Sequence, residues 1–276
     1  MDPHSQRLMD ACDWRSLEVT AEHIRRARQG YFANISYVDD KIGEIFAALE
    51  ASRQEAIVIF VSDHGEMLGR KGLWFKMNFF EGASRVPMMI AAPDLKPQRI
   101  DTPVSTIDLT PTLCDLAGIS MAEVMPWTDG ESLLPLATGT LPSTPVLMEY
   151  AAEGTITPMI AIREGAWKYI HCPADPDMLF DMAADPDEET NLATDPRAAE
   201  VLAHFQSQTK DLWDFGTYDA AVRQSQARRW VVYEALRNGA YYPWDYQPLR
   251  AASERYMRNH MDLNILEESK RFPRGK

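Results

Sequence analysis

Val58-Ile59-Phe60-Val61-Ser62-Asp63-His64-Gly65-Glu66-Met67-Leu68-Gly69 decides the fold of this chain. An apolar, β-branched run stops at an acid, an imidazole and a glycine. A buried parallel strand that delivers metal ligands at its carboxyl end has this form. Asp63 offers a carboxylate oxygen and His64 a ring nitrogen, a pair that suits a borderline divalent cation. Gly65 lets the backbone turn sharply after the strand, so both side chains can face one site. Lys76 follows within Gly72-Leu73-Trp74-Phe75-Lys76-Met77. A metal and a fixed ammonium at one strand tip suit an anionic substrate, a sulfate or phosphate ester. The same residues admit plainer readings. Asp63 could simply cap a helix, and Lys76 could lay its stem on the aromatics with its ammonium in water.

Upstream, Thr20 to about Ala51 predicts a helix. Ile24, Tyr31, Ile35, Val38, Ile42, Ile45 and Leu49 recur mostly at three and four, Thr20 can cap, and Glu22 suits the first turn. Helix, short turn and strand Ala56–Ser62 then form one unit of an α/β sheet. Downstream, Val86–Pro93 reads as a strand with Pro87 at its start. Thr106 to Gly118 reads as a helix, with Pro111 in its first turn and Gly118 at its stop. Residues 120–145 read as loop and linker. Val146–Tyr150, Met159–Arg163, Trp167–His171 and Met178–Asp181 read as a small antiparallel layer, with Glu164-Gly165 as a turn. Helices are expected from Pro196 to Trp213 and from Ala220 to Asn238. Beyond Gly239 comes an aromatic cluster, Tyr241, Tyr242, Trp244 and Tyr246, which needs a surface to bury against.

The 276 residues are 45% hydrophobic and 25% charged, which permits a proper core. A formal charge of −13 argues against a nucleic-acid binder. Cys12, Cys114 and Cys172 have no framework spacing, so a reducing compartment, the cytoplasm, is expected. No apolar run reaches eighteen residues, so no membrane partner is expected. The opening Met-Asp-Pro-His-Ser-Gln-Arg has no secretion-signal core.

Glu149 and Glu153 flank Ala151-Ala152 after a strand. A carboxylate there could balance a substrate cation, or be an ordinary strand-end acid. Arg85 and Arg163 are anion candidates, although Arg85 could equally pair with Glu81. Asp39-Asp40 lies inside the helical pattern and reads as a helix-surface pair. No Gly-x-Ser-x-Gly elbow, phosphate-cradling glycine loop or H-E-x-x-H occurs.

Taken together, Phe60 to Gly69, Gly72 to Lys76, Arg85-Val86-Pro87, Asp108-Leu109-Thr110-Pro111-Thr112, and Leu179-Phe180-Asp181 through Asn191-Leu192 resemble the second half of the sulfatase domain of the alkaline phosphatase superfamily. Arg228 to Leu236, Tyr242 to Pro248 and Ser253 to Asn259 resemble the C-terminal extension of bacterial choline sulfatases. The resemblance implies an α/β fold, a partial alkaline-phosphatase-like sandwich holding the C-terminal half of a mostly parallel sheet with flanking helices, a small antiparallel subdomain and an extension. The expected boundaries are 1–140, 141–216 and 217–276.

By the same resemblance Asp63 and His64 are metal ligands, for calcium or manganese, and Lys76 holds the sulfate group. Glu153 faces the trimethylammonium of choline, and Asp262 is a second candidate for that role, reaching a neighbouring subunit of a homo-oligomer joined through the tail. Sulfatases attack with a formylglycine made from a C-x-P-x-R-type motif. None of the three cysteines lies in one, so the nucleophile is expected in an amino-terminal half and the chain alone is expected to be inactive. The activity implied is hydrolysis of choline-O-sulfate. The alternatives are a phosphonate or phosphate monoester hydrolase of the same superfamily and a non-catalytic oligomerisation remnant.

Overall fold

The computed structural model describes residues 1–237 apart from 13, 15, 16, 94 and 140–144. The chain divides into two units between Phe215 and Gly216.

The first unit opens with α1 (Pro3–Ala11). Asp2 caps it through Ser5 N–H at 2.9 Å, and Pro3 takes the first helical position. Helix α2 (Ala21–Ser52) starts where its sequence predicts, with the Thr20 hydroxyl accepting from His23 N–H. Its apolar stripe is not a core face in this chain: none of its residues is buried, and Phe32 and Ile45 stand 60% and 65% exposed.

Strand β1 (Val58–Val61) is half-buried and pairs with β2 (Met88–Ala91). The pairing is antiparallel, with Val61 opposite Met88. The parallel neighbour expected for this strand does not occur among the described residues. The chain leaves β1 at Val61 and re-enters β2 at that residue's own partner. The excursion between them, which includes α3 (Glu81–Ser84), therefore departs from and returns to one end of the ladder. A 3₁₀ turn, Thr106–Asp108, leads into α4 (Leu109–Leu116), after which Gly118 adopts φ +68°. Single turns α5 (Met121–Val124) and α6 (Leu134–Ala137) complete this region.

A four-stranded antiparallel sheet follows in simple order: β3 (Val146–Tyr150), β4 (Met159–Glu164), β5 (Trp167–His171) and β6 (Met178–Asp181). Its two faces build two cores by strict alternation. Met159, Ala161, Ile170 and Phe180 pack against Met67, Leu73, Phe79 and Phe80 from the β1–β2 excursion. Ile160, Ile162, Tyr169 and Leu179 pack under Phe205 of α7 (Ala199–Leu212). Helix α8 (Phe215–Arg237) carries the chain into the second unit and exposes Trp230, Val231, Val232 and Tyr233. No described helix is long and apolar enough to cross a membrane.

Candidate functional site

Beyond Val61 the chain is shaped by close backbone approach. Gly65 N–H donates to Ala83 carbonyl at 2.8 Å, and a Cβ on Gly65 would lie 2.2 Å from the Gly82 carbonyl oxygen. Gly65 is therefore needed for contact with α3; its φ is not in the left-handed region. The Glu66 carboxylate accepts from Leu68 N–H and Phe75 N–H, at 3.1 and 2.5 Å, and Met67 N–H donates to Phe75 carbonyl. These bonds hold Phe75 at φ +67°, a left-handed conformation that a bulky residue adopts only under tertiary constraint. Lys76 is thereby turned back toward the tip of β1.

The structure brings Asp63, His64 and Lys76 together. Lys76 Nζ lies 2.7 Å from His64 Nε2, and Asp63 Oδ2 lies 3.5 Å from the same nitrogen. His64 Nδ1 is 2.8 Å from the Gly65 carbonyl, which can only accept. The proton therefore sits on Nδ1, and the Nε2 lone pair faces Lys76 and Asp63. That tautomer, fixed by a backbone carbonyl, is the one a metal-binding imidazole needs. A carboxylate oxygen and a ring nitrogen 3.5 Å apart can both reach one cation. The pair fits part of a coordination sphere. Among the described residues no group of three or more His, Cys, Asp or Glu forms a full one.

Glu153 lies in the turn after β3. Its own backbone N–H, then the Tyr150 hydroxyl at 2.8 Å, hold its carboxyl below the usual range, with a smaller pull from the Lys76 ammonium. Burial, then the adjacent Glu153, push the Tyr150 phenol up.

The other candidates have local partners. Glu149 accepts from Trp213 Nε1 at 2.6 Å. Arg85 lies 3.9 Å from Glu81, the local pairing its sequence allows. Arg163 donates to the carbonyls of Gly165 and Trp167. Asp262 and the aromatic cluster at 241–246 lie outside the described residues.

Sequence reasoning missed α1 and Lys168. His4 Nε2 lies 2.7 Å from Met77 carbonyl, next to Lys76, and Arg7 Nε donates to Gly154 carbonyl, next to Glu153, at 2.6 Å. Arg7 also grips Asp175 with both terminal nitrogens. The Asp2-Pro3 pair, a cap followed by a first-turn proline, was the available signal for this helix. Lys168 is 1% exposed and pairs with Glu81 and Glu188 at 2.7 and 2.9 Å. It ties α3, at the base of the site, to the sheet.

The family profile described as Sulfatase matches residues 4–119. That described as N-sulphoglucosamine sulphohydrolase, C-terminal, matches 69–214, and that described as Choline sulfatase enzyme C terminal matches 220–272. A choline-sulfatase from Rhizobium meliloti is 60% identical over 99% of this chain and 54% of its own length. Arylsulfatase K from Gallus gallus is 35% identical over 61% of this chain and 34% of its own. In the crystal structure of a phosphonate monoester hydrolase of Agrobacterium radiobacter, 42% of that chain overlays 70% of this one at TM-score 0.62 and 28% identity. The chain spans about half the length of the choline-sulfatase it matches. With sulfatase profiles matching from residue 4 to residue 272, and a choline-sulfatase resembling it from end to end, the chain belongs to the sulfatase family.

Proposed function

We propose that this chain supplies the substrate-holding part of a sulfuric ester hydrolase that converts choline-O-sulfate to choline and sulfate. One observation carries the reading: an ammonium, an imidazole and a carboxylate meet at the tip of β1, with Lys76 Nζ 2.7 Å from His64 Nε2 and Asp63 Oδ2 3.5 Å from the same nitrogen. The sulfate of the ester would sit on Lys76. The quaternary ammonium, which has no N–H to donate, would sit against Glu153. Tyr150 holds that carboxylate in place. Asp63 and His64 would hold a divalent ion, calcium or manganese, which when bound draws charge from the sulfuryl oxygens. Asp262 is carried as a second carboxylate for the same cation, supplied by a neighbouring subunit. No Cys or Ser of the chain opens a C/S-x-P-x-R motif, so the attacking formylglycine has no source among these 276 residues. The exposed apolar side chains of α8 support a self-association role for the tail. The structural likeness to a phosphonate monoester hydrolase supports a phosphoryl-ester alternative, and the match over residues 220–272 favours the choline ester.

The test is calorimetric binding with manganese present. Glu153→Gln is expected to weaken choline-O-sulfate about tenfold while leaving an aryl sulfate without a cationic group within about twofold. Equal losses for both would remove the cation-binding role. Rapid turnover by this chain alone would overturn the assignment of nucleophilic attack to another segment.

A further inference from the structure

We propose that α1 is a spacer between the two ends of the substrate site, with His4 and Arg7 as positioning residues that set the length of cationic ester accepted. The proposal rests on the reading of Lys76 and Glu153 given above.

Helix α1 touches both loops that carry those residues. His4 is 2% exposed, and its Nε2–H donates to the carbonyl of Met77, one residue past Lys76. The edge of its ring meets Tyr150 at 5.8 Å between centroids, and the Tyr150 hydroxyl in turn donates to Glu153. One turn along the helix, Arg7 donates to the carbonyl of Gly154, one residue past Glu153. The guanidinium is itself held by both oxygens of Asp175, so it is a braced strut. Gly154 sits at φ +78°, and a Cβ there would lie 2.8 Å from a Leu8 methyl, so the turn bearing Glu153 is seated directly on the helix. A rigid element anchored at two points, each one residue from a charged group, fixes the span between the ammonium and the carboxylate. A site with a fixed span between opposite charges discriminates by the number of methylenes between sulfate and trimethylammonium.

The experiment uses the full chain with manganese and measures affinity for trimethylammonium alkyl sulfates of two, three and four methylenes, with alkyl sulfates of matched length that lack the ammonium as controls. The two-methylene ester is choline-O-sulfate itself. The unaltered chain is expected to prefer it to the four-methylene ester by at least about tenfold. Arg7→Met and His4→Leu are expected to reduce that ratio below about threefold, with the sulfates that lack the ammonium moving less than about twofold. His4→Gln keeps a donor within reach of Met77 carbonyl and is expected to restore the preference. A variant that weakens every ester alike, or one that keeps the length ratio, overturns the spacer. If His4→Leu does not fold by circular dichroism, Arg7→Met, at a partly exposed position, decides alone. If the unaltered chain binds none of the trimethylammonium esters, the parent reading fails and the spacer falls with it. A preference that persists in both variants removes only the spacer.

Discussion

Lys76 Nζ sits 2.7 Å from His64 Nε2, on the imidazole nitrogen whose lone pair is open to a cation. An ammonium there occupies the position a metal would approach. Two cations a few ångströms apart repel by up to about 4 kcal/mol per unit charge pair at an effective dielectric near 20, and solvent reduces this at an exposed site. Lys76→Met is therefore expected to tighten manganese binding, by about three- to tenfold in calorimetry, while inorganic sulfate binding is lost. Unchanged or weaker manganese affinity would show that the ammonium does not compete for the imidazole.

Lys168 offers a second measurement. It is sealed between the sheet and α3 with Glu81 and Glu188 as partners, and Glu188 is 3% exposed. Burial is the main cause that pushes the Glu188 carboxyl up, against the pull of Lys168. Lys168→Met leaves two carboxylates without their cation and is expected to cost about 3–5 kcal/mol at neutral pH in denaturant unfolding. The loss should shrink as pH falls, because Glu188, whose carboxyl burial pushes up, no longer needs the lysine once it is protonated. A loss independent of pH would point to packing rather than charge.

The Arg7–Asp175 pair supplies a second pH dependence, from a carboxyl shifted the other way. Its hydrogen bond to Arg7 is the largest cause that holds Asp175 below its ordinary 3.8. A depressed folded pKa contributes stability that is present above the unfolded value and lost as pH falls through the folded one. The unaltered chain should lose thermal stability more steeply than Asp175→Asn as pH falls below the ordinary carboxyl value of 3.8. Identical melting curves across that range would mean the pair carries no net stability.

Helix α2 invites a surface experiment. Phe32 and Ile45 lie in the open, so charged replacements should change folding stability by no more than about 0.5 kcal/mol. A Phe32→Lys/Ile45→Lys double variant is expected to bind less hydrophobic dye and to aggregate less, with an unchanged melting temperature. A fall of several degrees would mean that these side chains are covered in solution.

Much of this architecture can be read from residue order alone. Thr20 and the three-and-four spacing give α2, and the alternating runs from Val146 to Asp181 give the small sheet with its turn at Glu164-Gly165. Local patterns dictate those elements, so local reading finds them. The antiparallel partner of β1 was not legible, because an apolar run of four to eight residues looks the same with either kind of neighbour. The burial of Lys168 was not legible either: its two carboxylates are 87 and 20 positions away. For the candidate site, Asp63, His64 and Lys76 were visible as chemistry, and Glu153 as charge at a strand end. The left-handed Phe75 that turns Lys76 inward depends on Glu66 and was invisible to pattern. So was the role of α1, whose contacts span 73 and 147 positions.

The alternation along β4 makes that strand a party wall. Met159 and Ala161 belong to the layer under the site, and Ile160 and Ile162 to the layer under α7. Inserting or deleting a single residue there would send each side chain into the wrong room and empty both at once. Changes of size within the strand can be absorbed on one side only, leaving the other intact. Changes of length can be accommodated only in the connecting turns, so variation that tunes the candidate site without disturbing α7 is confined to one side chain in every two.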